Sequence, residues 1–169
     1  TAAYYGLEKE VDIQLGTLSK SLGSVGGYVA ANSVIIDYLV NMSRSFIFST
    51  ALSPADIGAA LAALHILESD VSVLGRLKNN VNYMADCLNS IGIYATNDTP
   101  IFPIRIGSNE DTLAVSNYLY NAGIIGTAIR PPTVPVGESR IRLTVTAAHN
   151  KEQIDYVRRT LDKAIKELN

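Results

Sequence analysis

The chain has 169 residues, 47% hydrophobic and 18% charged, with a formal net charge of −2. That composition supports a packed core and excludes a disordered polar chain, and the charge gives no argument for nucleic acid or an anionic membrane surface as partner. A single cysteine, Cys87, excludes an internal disulfide and fits a reducing compartment, and no run of about 18 apolar residues offers a membrane-spanning helix.

The first ten residues read as a short lead-in, and the abrupt start suggests a fragment. Glu8, Glu10 and Asp12 stand where a signal peptide would need an apolar stretch. Val11, Ile13 and Leu15 alternate with Asp12 and Gln14, the period of a strand with one buried face. Gly16 breaks the run. Thr17, Ser19, Ser21 and Ser24 then bring four hydroxyls close to Lys20, and Gly23, Gly26 and Gly27 precede a second apolar run over 28–31. On its own, a lysine in a Ser/Gly turn reads as a solvated surface residue. The same set also suits an amine that captures a carbonyl as a Schiff base while hydroxyls and glycine amides hold an anion, and pyridoxal phosphate (PLP) carries both groups.

Residues 34–42 predict a short helix with Ser33 as its N-cap, and 46–48 a short strand. Ser53-Pro54-Ala55-Asp56 predicts a helix start: a capping hydroxyl, proline at the first helical position and a carboxylate in the first turn. Beyond it Ile57, Leu61, Leu64, Leu67, Val71, Leu74, Leu77, Val81, Met84 and Leu88 recur every three or four residues. An unbroken helix over 54–91 would be about 57 Å long, so a break near 69–72 is expected. Gly92 suits the C′ position. A helix of this length connects two domains, with the boundary along it: residues 1–70 and 71–169.

Residues 93–95 and 102–106 predict strands. Ser108 and Asp111 open a helix whose face is Val115, Tyr118, Leu119 and Ala122, ended by Gly123. Residues 127–129 are extended, and Arg130, before a proline, is pushed away from helical geometry. Ile141, Leu143 and Val145 alternate with Arg140, Arg142 and Thr144, giving a strand with an apolar face and a cationic, hydroxylic one. Asn150 caps a last helix whose stripe is Ile154, Val157, Leu161, Ala164, Ile165 and Leu168.

Three stretches, DIQLGTLSKSLGSVGGY, RSFIFSTALSPAD and AIRPPTVPVGESRIRLTVTAAH, closely resemble the α-oxoamine synthases, a family of PLP-dependent acyltransferases. The likeness runs over essentially the whole chain. It implies an α/β fold of the aspartate aminotransferase-like type (fold type I): 1–70 as the C-terminal part of the large PLP-binding domain, 71–169 as a small α+β domain. The resemblance also implies that the acidic partner of the pyridine nitrogen, and an aromatic or histidine stacked on the ring, lie before Thr1. The 169-residue piece alone is therefore expected to be inactive.

The resemblance assigns roles. Lys20 holds PLP as a Schiff base and, once freed, moves the substrate α-proton. Thr17 contacts the cofactor phosphate. Ser49 and Thr50 reach it from the neighbouring subunit, which implies a homodimer. By their residue types alone these three read as turn-capping hydroxyls. Arg142 binds the amino-acid carboxylate, a task that suits a bidentate guanidinium; otherwise it reads as a surface arginine on an edge strand. Arg130 and Thr133 lie near the acyl-chain end, though two prolines stiffening a loop explain Thr133 as well. AIRPPTVP is most like the biotin-pathway branch, which condenses L-alanine with a pimeloyl thioester, with decarboxylation, to 8-amino-7-oxononanoate. The alternative is glycine C-acetyltransferase activity on glycine and acetyl-CoA, or a non-catalytic piece of either enzyme. The implied partners are an amino acid and an acyl-CoA or acyl-carrier thioester, in the cytoplasm, with no nucleic acid and no membrane. His65 and His149 read as structural and Cys87 as an inert buried thiol. Two histidines and one cysteine, far apart, make no metal cluster, and the GSVGG run lacks the spacing of a nucleotide phosphate loop.

Overall fold

A computed structural model describes residues 2–167. The chain divides into two compact units, Thr1–Asp70 and Val71–Asn169.

The first unit holds α1 (Ala2–Tyr5), β1 (Ile13–Thr17), β2 (Gly27–Ala31), α2 (Ser33–Met42), α3 (Arg44–Ile47) and α4 (Pro54–Ser69). β1 and β2 pair antiparallel, with Gly16 opposite Tyr28 and Thr17 opposite Gly27. A Cβ at Gly16 would lie 2.5 Å from the outer end of the half-exposed Tyr28 ring, which would have to swing aside to admit it. α2 is capped by Asn32 rather than Ser33: the Ile35 N–H donates to Asn32 Oδ1 at 3.0 Å. Ser53 caps α4 as expected, accepting from the Asp56 N–H at 3.2 Å, with Pro54 in the first turn. A cap of this kind stabilises a helix by about 1 kcal/mol.

Three further expectations fail in this unit. Gly16, expected to break the first strand, lies inside β1 and pairs with Tyr28. Residues 46–48 fall in and after α3 instead of a strand; the Phe48 N–H donates to the Arg44 carbonyl at 3.0 Å, a helical bond. The hairpin is a strand pair as its alternation predicts, but it buries no face: Ile13 is 52% exposed and Leu15 77%. Among the described residues of this unit no hydrophobic side chain is buried. A two-stranded sheet cannot cover its own apolar face, and the outward side chains of α2 and α4, such as Val34, Ile57 and Leu61, stay exposed with it.

The second unit begins where the long helical pattern breaks: α4 ends at Ser69 and α5 (Ser72–Ser90) follows. Then come β3 (Ile101–Gly107), α6 (Asn109–Asn121), β4 (Thr127–Ile129), β5 (Ser139–Thr144) and α7 (Lys151–Lys166). The strands form an antiparallel sheet in the order β3-β5-β4. Phe102, Ile104, Ile141 and Leu143 point to one face and are buried there with Val81, Met84 and Leu88 of α5, Val115 and Leu119 of α6, and Ile154 and Leu161 of α7. The stripe expected on α7 is buried at Ile154, Leu161 and Ala164 and partly so at Val157 and Ile165, whereas Val71 and Leu74 of the long helical pattern are exposed; Leu168 lies outside the described residues. Gly92 (φ +80°) and Gly123 (φ +76°) take the left-handed conformation just after α5 and α6, which is why those helices stop there. α7 opens with a full capping box: the Gln153 N–H donates to Asn150 Oδ1 at 2.9 Å and the Asn150 N–H to Gln153 Oε1 at 3.0 Å.

Residues 93–95 form no strand. The Ile93 N–H donates to the Leu88 carbonyl, and the Asn89 side chain takes both the N–H (3.2 Å) and the carbonyl (3.0 Å) of Ala95. The backbone groups that a ladder would use are already spent on the end of α5.

α5 and α7 also share a polar contact. The Tyr83 hydroxyl donates to Asp155 Oδ1 at 3.0 Å, and the buried Cys87 Sγ lies 3.8 Å from the same oxygen. Burial, then the Asp155 charge, pushes the Cys87 thiol up; the hydrogen bond to Asp155, then burial, raises Tyr83. A raised folded-state value means that the folded protein keeps its proton to higher pH than the unfolded chain. The stability that Cys87 contributes is therefore full below the unfolded thiol range, about pH 8.5, and is lost as pH rises through the folded value. The urea midpoint of the chain is expected to fall from about pH 8.5 upward, and Cys87→Ser to flatten the first part of that fall.

Candidate functional site

Lys20 sits in the turn that joins β1 to β2, residues 18–26. The turn is tied by its backbone: the Leu18 N–H donates to the Gly26 carbonyl and the Ser24 N–H to the Leu18 carbonyl, both at 2.9 Å, and the Gly23 N–H to the Lys20 carbonyl at 3.2 Å. Ser24 is buried and its hydroxyl donates to the Asp56 carbonyl at 2.7 Å, which pins the turn to the first turn of α4. Of the four hydroxyls expected around Lys20, Ser24 is thus structural. Thr17, Ser19, Ser21 and Lys20 itself are exposed, and among the described residues their side chains make no hydrogen bond or ion pair. The hairpin therefore holds its own shape without using the amine or the hydroxyls beside it.

Ser49 and Thr50 lie in the same unit, exposed, in the link between α3 and the Ser53 cap of α4. Their hydroxyls have no partner among the described residues either.

Arg130, Thr133 and Arg142 belong to the second unit, and all three are exposed. Arg130 follows β4; the Thr133 N–H donates to its carbonyl at 3.0 Å, closing a turn. Arg142 stands on β5, opposite Pro103 of β3 and Thr127 of β4, on the sheet face turned away from the core. Arg105 and Arg140, also on that face, face each other across β3 and β5. Glu138 takes both: its Oε2 is 3.0 Å from Arg140 Nη2 and its Oε1 is 3.5 Å from Arg105 Nη2. The Arg140 Nε–H also donates to the Glu138 carbonyl at 3.0 Å. Arg142 has no carboxylate partner among the described residues. Sequence reasoning missed Glu138. The only hint was a glutamate two positions before Arg140, a spacing too common to single out.

The second unit also holds a groove of about 640 Å³ lined by Ile124, Leu143, Val145, His149, Ile154 and Tyr156, among others. None of the sequence-predicted site residues lines it. His149 is occupied structurally, its Nδ1 accepting from the Thr146 N–H at 3.0 Å ahead of α7. His65 is exposed on α4. Among the described residues no group of three or more His, Cys, Asp and Glu is placed to hold a metal, and no single helix is long and apolar enough to cross a membrane.

The family model for class I and II aminotransferases matches residues 1–161. The chain is 41% identical over 169 residues to an 8-amino-7-oxononanoate synthase of Lysinibacillus sphaericus, covering 99% of this chain and 43% of that protein. It is 48% identical over 158 residues to a putative 8-amino-7-oxononanoate synthase of Halalkalibacterium halodurans, covering 89% of this chain and 38% of that one. The chain thus spans less than half the length of these relatives. Among solved structures, a serine palmitoyltransferase from S. paucimobilis with a bound PLP–myriocin aldimine superposes with a TM-score of 0.91 at 26% identity, over 99% of this chain and 43% of that one. An 8-amino-7-oxononanoate synthase from Francisella tularensis gives 0.79 at 25% identity, over 92% and 46%. The fold is accordingly the aspartate aminotransferase-like fold type I, an architecture of a large α/β and a small α+β domain, as expected from the sequence. The chain belongs to the class I and II aminotransferase family and, within it, to the PLP-dependent α-oxoamine synthases, closely related to the 8-amino-7-oxononanoate synthases.

Proposed function

We propose that the chain is the C-terminal part of an enzyme that condenses L-alanine with a pimeloyl thioester, with decarboxylation, to 8-amino-7-oxononanoate. Residues 1–70 belong to its large cofactor-binding domain and 71–169 form its small domain. The observation that carries this reading is the 41% identity to an 8-amino-7-oxononanoate synthase along the full length of the chain.

The residues present fit PLP. The 18–26 turn offers an exposed amine with free hydroxyls of Thr17, Ser19 and Ser21 around it. PLP, when bound, supplies an electron sink for the carbanion at the substrate α-carbon. Lys20 would hold the cofactor through its amine and, as a free amine, would take and return the α-proton. Thr17 donates its hydroxyl to the phosphate. Ser49 and Thr50 donate to the phosphate of the neighbouring subunit, so the enzyme works as a homodimer. Arg142 binds the amino-acid carboxylate through two parallel N–H donors, which fixes its orientation as well as its energy. Arg130 and Thr133 serve the acyl end, where Arg130 pairs with the terminal carboxylate of the pimeloyl group.

The test is to assay the full-length enzyme with each amino-acid and thioester pair. Turnover with L-alanine and a pimeloyl thioester is expected; turnover with glycine and acetyl-CoA alone overturns the proposal in favour of glycine C-acetyltransferase activity. A second reading concerns the 169-residue piece by itself. The exposed apolar side chains of its first unit favour a folded but non-catalytic piece. Mixed with PLP, it is expected to bind weakly or not at all, and a visible-region absorption band that disappears on Lys20→Ala would overturn that reading.

A further inference from the structure

We propose that Glu138 sets the ligand selectivity of the open sheet face: it occupies Arg105 and Arg140, so that Arg142 is the strand guanidinium left for a ligand bearing one carboxylate. The inference rests on the reading of Arg142 as the carboxylate-binding residue.

The strands β3 and β5 carry three arginines on this face, Arg105, Arg140 and Arg142. Two of them, Arg105 and Arg140, are directly opposite each other, an arrangement that is unfavourable for like charges. Glu138 resolves it by giving one carboxylate oxygen to each, at 3.5 and 3.0 Å. The same contacts have a consequence for binding. Arg140 is two positions from Arg142 on the same face of one strand, about 7 Å away by strand geometry. A ligand carboxylate held by Arg142 therefore meets, at the reach of a second carboxylate, a guanidinium that Glu138 has already neutralised. An amino acid with an apolar side chain is accepted. A dicarboxylic one finds no free cation and a carboxylate that repels it. The Arg140 side chain is held on two atoms, Nη2 by the carboxylate and Nε by the Glu138 carbonyl, so it does not swing to a new partner without losing both.

The arrangement is part-exposed, so its effect is modest and sensitive to salt. In the full-length holoenzyme at low ionic strength, Glu138→Gln is expected to lower the competitive Ki of L-glutamate about threefold to fivefold while the KM for L-alanine changes less than twofold. The shift is expected to vanish at about 0.5 M salt, and Glu138→Asp to keep the wild-type ratio. A purely structural role for Glu138 would change stability without moving the ratio of the two constants. Should Glu138→Gln fold poorly, the double variant Glu138→Gln/Arg105→Gln removes the opposed like charges while still freeing Arg140, and the same shift in ratio is expected. A ratio unchanged in these variants at low salt overturns the inference. An L-alanine KM unmoved by Arg142→Lys overturns instead the reading of Arg142 on which the inference rests.

Discussion

Lys20→Ala is expected to lower turnover of the full-length enzyme by about 10³-fold or more, with loss of the covalent link to the cofactor. The size follows from two roles in one amine. In the proposed function it would hold the cofactor and would move the α-proton, a step for which a positioned acid–base group contributes about 10²- to 10⁴-fold. Lys20→Arg is expected to be as inactive, because a guanidinium stays protonated and can serve as neither nucleophile nor base. The turn itself should persist in both variants. Its shape comes from the Leu18, Gly23 and Ser24 amides and from the Ser24 hydroxyl on the Asp56 carbonyl, none of which involves the Lys20 side chain. Steady-state assay measures the first effect. Borohydride reduction followed by peptide mass analysis measures the second: the cofactor label should sit on Lys20 in the wild type and be absent in both variants. Activity within tenfold of wild type in Lys20→Ala, or a label on another lysine, removes Lys20 from the chemistry.

What was legible in the sequence divides along physical lines. Local signals were read well. Ser53-Pro54 and Ser108 start helices where capping chemistry places them, Gly92 and Gly123 end them, and the alternation of Ile141 and Leu143 with Arg140 and Arg142 gives both faces of β5. Short apolar runs were ambiguous. FIF at 46–48 has strand composition, but three residues cannot distinguish a strand from a helical turn, and the backbone chose the turn. Residues 93–95 failed for another reason: a side chain six positions back, Asn89, occupies the Ala95 backbone. Periodicity gave the strand at Ile13 and Leu15 correctly but not its burial, since burial depends on what packs against the hairpin. At the candidate site, the lysine turn was visible because its residues are contiguous. Glu138 was not, because its meaning depends on Arg105, which only the β3–β5 register brings within 3.5 Å.

The uneven burial leads to a second large effect. Phe102→Ala is expected to destabilise the second unit by about 3–5 kcal/mol. Phe102 is 2% exposed on β3, and its ring belongs to the core shared with Leu88 of α5, Ile104, and Leu143 of β5. Removing it loses the transfer energy of the ring and leaves a cavity between a sheet and helices that cannot all close in at once. A domain of this size is stable by only about 5–15 kcal/mol, so the loss is a large share of the total. Leu15→Ala makes the contrast: Leu15 is an equally apolar residue at an equally clear strand position, but it is exposed, so its truncation should change stability by less than about 0.5 kcal/mol. Urea unfolding followed by an α-helical signal tests both. The Phe102→Ala midpoint should fall with little change in slope, and the Leu15→Ala midpoint should stay near that of the wild type. Equal losses in the two variants would mean that the hairpin is as well packed as the second unit's core, and would contradict the exposed apolar surface of the first unit.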